Sequence, residues 1–306
     1  MLPLPSVSVI VPAYNASDII DRCIEALLKL NYQKNKLEII IVDNNSSDET
    51  LKIIEKYPVI LETENKIQSS YAARNKGLLR ATGEIIAFTD SDCIVDPEWI
   101  NIGVRCFSDE TCGAVAGEIL SLPPNSIFEE YLETIKFLHQ KHCLNNPFLP
   151  YMQTANAFYR RSILDEIGFF DADMISGGDA DLAWRMQILT DYKLLYSSKS
   201  KILHRHRNTL KGLYNQKKTH GIGKAHLEKK HYDLMFKKNN LIYRKNTNLL
   251  FLNKLILHTG YIFYKLFLEI IHGRPRRAFD GFFTFTSFWG ECTGQKIAKK
   301  RFEVDS

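Results

Sequence analysis

Short, continuous apolar segments alternate with helix-like segments through the first 90 residues. Residues 8–12, 37–43 and 84–90 each contain an uninterrupted apolar run that is rich in β-branched side chains. Continuous apolar runs predict strands that are covered on both faces, as in a parallel sheet. Helix-like segments at 17–30 and 69–81 separate them. The alternation predicts right-handed βαβ units in an α/β fold with a mostly parallel, Rossmann-like central sheet flanked by helices.

Composition and cysteine usage favour an intracellular globular chain. Of the 306 residues, 45% are apolar and 25% charged, which is ordinary for a protein with a packed core. The first residues have neither a basic segment nor an apolar stretch before a cleavage site, so no secretory signal is expected. None of the six cysteines forms a C-x-x-C pair, which argues against zinc-ribbon and thioredoxin-like sites. We therefore expect reduced thiols and a cytoplasmic location.

The C-terminal third carries most of the positive charge and then becomes apolar. Residues 199–245, here called the basic block, contain fourteen Lys and Arg against two acids. The block predicts an anion-facing or membrane-facing surface, with a solvated charged face as the alternative. No nucleic-acid partner is expected, because no RNA- or DNA-binding motif accompanies it.

The apolar tail that follows is too interrupted to span a bilayer. Its longest uncharged runs, 255–264 and 281–290, have ten residues each, whereas a spanning helix needs about 20. Two alternatives stay open. One is an amphipathic helix that makes peripheral contact with the cytoplasmic face of a membrane. The other is a helical extension packed on the protein's own core or on a second copy in a homodimer.

Acidic pairs of the form D-x-D occur three times, at 90/92, 171/173 and 179/181. Only Asp90 and Asp92 directly follow a buried strand. Ligands of doubly wound sheets bind outside the carboxyl ends of the strands, so this pair lies at the expected ligand edge. Two carboxylates there can hold a hard divalent cation that neutralises a diphosphate.

Four segments together resemble the inverting family 2 glycosyltransferases, which have the nucleotide-binding GT-A fold. They are residues 11–15 (VPAYN), 42–48 (VDNNSSD), 73–77 (ARNKG) and 90–92 (DSD). Their order and spacing both match, and the resemblance covers about residues 6–227. It implies a nucleotide-sugar donor, most often a uridine diphosphate sugar, and a divalent metal, Mn²⁺ or Mg²⁺.

The resemblance also implies roles for individual residues on the donor side. Asp43 would accept a hydrogen bond from the base, with helix capping as its structural alternative. Arg74 would approach the nucleotide or form a surface ion pair. Asp90 would contact the ribose or the metal, and Asp92 would bind the metal. The complete implied nucleotide-sugar site consists of Pro12, Ala13, Tyr14, Asn15, Asp43, Arg74, Asp90 and Ser91.

Residues 177–185 (GGDADLAWR) resemble the acceptor-side motif of the same family. The resemblance makes Asp179 the general base, with helix capping as the alternative. The sequence departs from the family at Gly178, where glutamate is common, which puts a further acceptor contact in doubt. Asp181 and Arg185 are four residues apart on a predicted helix, so a structural ion pair is expected for them.

A histidine after the last core strand can complete the metal site in the family. His206 is the preferred candidate and His204 the alternative. Imidazole suits manganese better than magnesium.

Taken together, the sequence predicts an inverting glycosyltransferase that acts in cell-surface polysaccharide or glycolipid synthesis. Its acceptor would be a saccharide or a lipid-linked sugar. Residues 1–230 would form the transferase domain, with a nucleotide half to about 120 and an acceptor half to 230, and residues 231–306 a helical extension. The alternatives are a non-catalytic nucleotide-sugar-binding scaffold subunit and a nucleotidyltransferase. The second lacks its usual Gly-rich loop, since residues 12–15 occupy that place.

Overall fold

The computed structural model describes residues 3–206, 208–238 and 275–304. The chain divides into two compact units. The first contains residues 1–123 and 138–205, and the second contains residues 124–137 and 206–306. These units do not follow the domain boundaries expected from the sequence, near 120 and 230, which stay a prediction.

The first unit is built on one curved, mixed sheet. Its strands are β1 (Val7–Ala13), β2 (Leu37–Asp43), β3 (Ile60–Thr63), β4 (Ile85–Phe88), β5 (Cys93–Val95), β6 (Cys112–Ser121), β7 (Ala157–Arg160) and β8 (Lys193–His204). They lie in the order β3-β2-β1-β4-β7-β6-β8-β5. In the described ranges, four of the seven strand pairings are parallel. The predicted α/β class with a mostly parallel sheet is confirmed.

Helices cover both faces of this sheet. They are α1 (Ile20–Leu28), α2 (Thr50–Ile54), α3 (Ser70–Arg80), α4 (Trp99–Arg105), α6 (Gln140–Leu144), α7 (Arg161–Ile167) and α8 (Gly178–Leu189), while α5 (Ile127–Thr134) belongs to the second unit. The apolar stripe predicted on α1 is buried, with Ile20, Cys23, Ile24 and Leu27 fully enclosed. Strands β1, β2 and β4 are buried along nearly their whole length, as continuous apolar runs require.

Two helix predictions are wrong in detail. The sequence of residues 127–142 predicts a single helix, but that helix is broken, since α5 ends at Thr134 and α6 begins at Gln140. Lys136 between them has φ of +51°, which an α-helix does not allow. The spacing of Ser46 and Glu49 predicts a capping box at the start of the next helix, but it does not form, because α2 begins only at Thr50.

The second unit is helical and has a small aromatic core. It contains α5, α9 (Leu210–Lys230), α10 (Tyr232–Lys238) and α11 (Pro275–Val304). Phe283 of α11 packs on Phe128 and Tyr131 of α5, with ring centroids 5.1 and 4.9 Å apart. Glycines let α9 and α11 approach closely: a Cβ at Gly294 would lie 1.9 Å from the carbonyl oxygen of Lys218.

The apolar tail is only partly described. The run 255–264 lies outside the described residues. The run 281–290 lies within α11, where Phe283 and Thr286 are buried in the second unit. Among the described residues, no helix combines the length and apolarity that crossing a bilayer requires.

Candidate active site

Two loops at the carboxyl ends of β1 and β2 are locked together by Asn15. The carboxamide oxygen of Asn15 accepts from the backbone N–H of Ser47 at 2.8 Å. The backbone N–H of Asn15 donates to Ser46 Oγ at 3.0 Å. Asn15 has φ of +46°, a left-handed conformation that asparagine tolerates. Tyr14 beside it is 50% exposed, whereas Pro12 and Ala13 are buried as the last residues of β1.

Asp43 lies at the base of this loop pair. It is the last residue of β2 and only 3% exposed. Oδ2 accepts from the backbone N–H of Ser46 at 3.1 Å. Oδ1 is buried and has no hydrogen-bond partner in the part of the chain that the structure describes. A buried acceptor without a donor is costly, so this oxygen is suited to receive an N–H from a ligand.

Arg74 and Asp90 form a partly buried ion pair. Arg74, on α3, is 4% exposed, and its Nη2 lies 2.5 Å from Asp90 Oδ1. The guanidinium lies beside the stacked rings of Tyr71 and Phe170, 5.8 and 6.0 Å from their centroids. The ion pair that was the alternative for Arg74 does form, but its guanidinium is buried and not at the surface. Arg74 fixes Asp90 at the end of β4, where the parallel strands β1, β2 and β4 share an edge.

Asp92 lies beside His204, with His204 Nε2 3.2 Å from Asp92 Oδ1. The register of β5 and β8 sets this contact, because it pairs Cys93 with His204. One ligand atom from each of these three residues falls within 4.8 Å of the others, a spacing that could hold a metal ion. Ser91 lies in the turn before Asp92 and is partly buried.

The donor set fits a hard or borderline divalent cation. Burial, followed by the charges of Asp92 and Asp90, raises the pKa of the Cys93 thiol well above its usual value. The carboxylate of Asp92 and the imidazole of His204 are a pair that suits Mn²⁺, whereas a thiol suits softer metal ions. His206, the histidine preferred from the sequence, is buried and belongs to the second compact unit.

Asp179 is the second residue of α8. The helix begins after Gly177, which has φ of +85°, a conformation that favours glycine. Asp179 Oδ1 accepts from the Ala180 N–H at 3.2 Å and from the Tyr71 hydroxyl at 3.4 Å. Burial raises the pKa of Asp179, and the positive charge of Arg74 opposes that effect. A carboxylate whose pKa is moved toward neutrality is better suited to accept a proton.

Asp181 does not share the environment of Asp179. Its side chain is fully buried and accepts from Arg185 Nε at 2.9 Å. Arg185 also donates to the carbonyl oxygens of Ile167, Gly168 and Phe169. The structural ion pair expected for Asp181 is confirmed, and it ties α8 to the loop that follows α7.

Residues 8–168 of the chain match the protein-family model for Glycosyl transferase family 2. The chain belongs to glycosyltransferase family 2. This membership confirms the resemblance drawn from the four sequence segments.

Curated relatives of this family 2 chain include bacterial and archaeal glycosyltransferases. Glycosyltransferase AglE of Haloferax volcanii is 32% identical over 182 residues, which are 58% of this chain and 59% of AglE. Pre-mycofactocin glycosyltransferase of Mycobacterium tuberculosis is 30% identical over 240 residues, or 74% of this chain and 48% of the relative. The chain thus spans about half the length of the curated relatives it matches.

Solved structures of low sequence identity share the fold. Mannosyltransferase PcManGT from Pyrobaculum calidifontis, in complex with GDP-Man and Mn²⁺, aligns with a TM-score of 0.60 and 18% identity over 95% of this chain and 88% of that chain. Staphylococcus aureus TarS 1-349 in complex with UDP-GlcNAc gives 0.51 and 16% over 98% and 92%. These likenesses confirm the expected GT-A architecture.

Tyr71, Phe170 and Asn75 are site residues that the sequence did not single out. Tyr71 stacks on Phe170 with ring centroids 5.5 Å apart, and both rings lie beside Arg74. The Asn75 carboxamide donates to the carbonyl of Phe170 at 2.8 Å and accepts from its N–H at 3.0 Å. One signal was available for Tyr71, since it lies three residues before Arg74 and therefore on the same face of α3.

Proposed function

We propose that this chain transfers a sugar from a nucleotide-sugar donor to an acceptor hydroxyl with inversion at the anomeric carbon. The observation that carries the proposal is the buried, unpartnered oxygen of Asp43 at the edge of the sheet that also holds Asp90 and Asp92. Family membership supports the reaction class.

The donor would bind along this edge through its nucleotide. Asp43 Oδ1 would accept an N–H from the base, for which uracil offers a single suitable donor. The exposed ring of Tyr14 would cover the base, and Asp90, held by Arg74, would accept from the ribose. Ser91, Pro12, Ala13 and Asn15 complete the proposed nucleotide contacts.

Asp92 and His204 would hold a divalent metal near the diphosphate. Bound there, the metal would offset the negative charge that develops on the leaving nucleoside diphosphate. His204 takes this role in the proposal because its imidazole already lies beside Asp92. Manganese complexes of fold neighbours, including PcManGT, support a divalent ion.

Asp179 would act as general base. Its partly buried carboxylate would remove the proton from the acceptor hydroxyl as the oxygen attacks the anomeric carbon and the bond to the diphosphate breaks. One in-line displacement inverts the configuration, through a transition state that resembles an oxocarbenium ion. The contacts from Asp179 to Tyr71 and from Arg74 to Asp90 join this base to the donor edge.

The acceptor is proposed to be a saccharide or a lipid-linked sugar at the cytoplasmic face of a membrane. The basic block and the apolar tail support this location. Residues 1–230 would form the catalytic domain and residues 231–306 an extension that makes peripheral membrane contact or a dimer contact.

Thermal unfolding of the full chain with UDP, GDP and ADP, with and without Mn²⁺, tests the donor site. A ligand that binds only the native state raises the melting temperature. At a ligand concentration of 100 Kd it adds about 2.7 kcal/mol to the free energy of unfolding. We expect a manganese-dependent rise with UDP. Asp92→Asn should abolish the manganese dependence, whereas Asp173→Asn, in a D-x-D pair away from the sheet edge, should retain it. No rise with any nucleotide would contradict the proposal.

A further inference from the structure

Gly178 lies directly against the ring of Tyr71. A Cβ atom at position 178 would be 2.9 Å from both Cε2 and Cζ of Tyr71 and 3.0 Å from Cε1. Carbon atoms that are not bonded pack at about 3.5–4.0 Å. A side chain at 178 and the Tyr71 ring therefore cannot occupy their places together.

The Tyr71 ring has little freedom to move away. The residue is 6% exposed and stacks on Phe170 at an interplanar angle of 20°. Its other neighbour is the guanidinium of Arg74, which the ion pair with Asp90 holds in place. The ring thus fills, from the α3 side, the space beside the first turn of α8.

The Tyr71 hydroxyl reaches the carboxylate of Asp179. Tyr71 Oη donates to Asp179 Oδ1 over 3.4 Å, a long hydrogen bond that a small shift of either group would tighten. Burial, and then the charge of Asp179, raises the pKa of Tyr71, so the hydroxyl keeps its proton and can donate. Tyr71 and the backbone N–H of Ala180 thereby contact the same carboxylate oxygen.

We propose that Tyr71 is a positioning residue for the general base Asp179, and that residue 178 is glycine because the Tyr71 ring takes the space of a side chain there. The pair Tyr71 and Gly178 would replace the glutamate that the resembling family commonly carries at this place. Tyr71 acts through Asp179: its hydroxyl orients the carboxylate and stabilises the ionised form. The inference rests on the proposed function, since it assigns proton removal to Asp179.

Tyr71→Phe tests the hydroxyl alone, because it keeps the ring. The full chain with Mn²⁺ is assayed for nucleoside diphosphate release from UDP-glucose, UDP-GlcNAc and GDP-mannose, with water as the acceptor. We expect kcat to fall about tenfold, the size expected for a lost hydrogen bond to a charged group, with KM for the donor unchanged. Without the donated hydrogen bond the carboxylate is less stable, so its pKa rises and the acidic limb of the kcat profile moves to higher pH.

Tyr32→Phe is the matched control. It removes another buried tyrosine hydroxyl, which donates to the carbonyl of Pro5 at 2.6 Å and is not part of the proposed site. This variant should leave the pH profile in place. A Tyr71→Phe profile and kcat equal to those of the wild type would overturn the inference. No turnover of any donor by the wild type would instead count against the proposed function.

A second pair of variants tests the packing without any substrate. Gly178→Glu should lower the melting temperature strongly in the wild-type background and much less in the Tyr71→Ala background, because contacting residues are not additive. Equal destabilisation by Gly178→Glu in both backgrounds would show that the ring does not exclude a side chain at 178.

Discussion

The carboxylates of the candidate site differ in which of their oxygen atoms already have a hydrogen-bond or ion-pair partner. Asp90 and Asp181 are each paired with an arginine, whereas Asp43 has one buried oxygen without a partner among the described residues. A paired carboxylate stabilises or orients its neighbours, while an unpaired buried one is available to a ligand. Charge alone therefore does not identify a binding residue. The partners that each carboxylate oxygen already has are what identify it.

Asp43→Asn should weaken nucleotide binding without unfolding the chain. The carboxamide oxygen can still accept from the Ser46 N–H, but an NH₂ group then faces the base in place of an acceptor. We expect the Kd for UDP to rise about tenfold, from the loss of one hydrogen bond to a charged group. Isothermal titration measures it, with Asp173→Asn as the control, and an unchanged Kd would remove Asp43 from the site.

Asp179→Asn separates proton removal from donor binding. The substitution is close to isosteric but leaves no base, so we expect kcat to fall by about 10²–10⁴. The manganese-dependent rise in melting temperature with UDP should persist, because Asp179 lies on the acceptor side. Full turnover in this variant would show that another group takes the proton.

Among the elements, α2 shows how a local signal can point to the wrong residue. Ser46 and Glu49 have capping-box spacing, yet Ser46 instead accepts from the N–H of Asn15 and donates its own N–H to Asp43. Asp48 takes over at the helix start: Oδ1 accepts from the Thr50 N–H at 3.0 Å, and Oδ2 accepts from the Ser17 N–H at 3.1 Å. Long-range contacts of the site thus displaced the local cap.

Asp48→Ala should lower the free energy of unfolding by about 1 kcal/mol, as expected for loss of the hydrogen bonds from the Thr50 and Ser17 N–H groups. Glu49→Ala, which removes only a surface pair with Lys52, should be nearly neutral. Although burial opposes the effect, hydrogen bonds from Thr50 and Ser17 hold the pKa of Asp48 well below its usual value. Its stabilising contribution is therefore complete above the unfolded pKa of about 3.9 and is lost as pH falls below it. Denaturant unfolding at neutral and acidic pH checks both points.

Gly294→Ala should reverse the usual effect of this substitution in a helix. Alanine ordinarily stabilises a helix interior relative to glycine by about 0.5–1 kcal/mol. Here the new Cβ would lie 1.9 Å from the Lys218 carbonyl, so α9 and α11 would have to separate. We expect a loss of about 1–3 kcal/mol, typical of overpacking. Lys296→Ala, at an exposed position of α11, is the control, and a stabilised Gly294→Ala would contradict the close helix contact.

At the scale of the whole molecule, the basic block is not uniformly a charged surface. His220 stacks on Phe137, and burial, followed by the charge of Lys217, lowers its pKa to about 4. It is therefore neutral near pH 7 and adds no positive charge to the block. Lys229 and Lys230, in contrast, are exposed at the end of α9. Exposed lysines of this kind carry the proposed contact with an anionic membrane surface.

Full-length protein should partition onto vesicles that contain anionic lipid at low salt and dissociate at high salt, because screening weakens exposed charges. Lys229→Gln with Lys230→Gln should weaken the partition. Lys52→Gln with Lys66→Gln, at exposed positions outside the block, should not. Co-sedimentation measures all three proteins. Absence of partition at low salt would contradict the membrane contact.

The sequence by itself determined the class of the fold and the edge at which the candidate site residues lie. Continuous apolar runs specify buried parallel strands, and the polar residues that follow those strands, such as Asp43 and Asp90, then share one edge. The ion pair of Asp181 with Arg185 was also readable, because residues four apart on a helix are neighbours. These features depend on local periodicity or on spacing within one element.

Only the tertiary structure decided which distant residues meet. The register of β5 and β8 brings His204 to Asp92, and no local pattern distinguishes it from His206. The contact of Tyr71 with Gly178 joins residues that are 107 positions apart in the sequence. The contact of Tyr71 with Gly178 arises where α3 meets α8, and such packing depends on the shapes of both elements at once. The absence of a side chain at 178 therefore acquires a meaning only when the ring that fills its space is known.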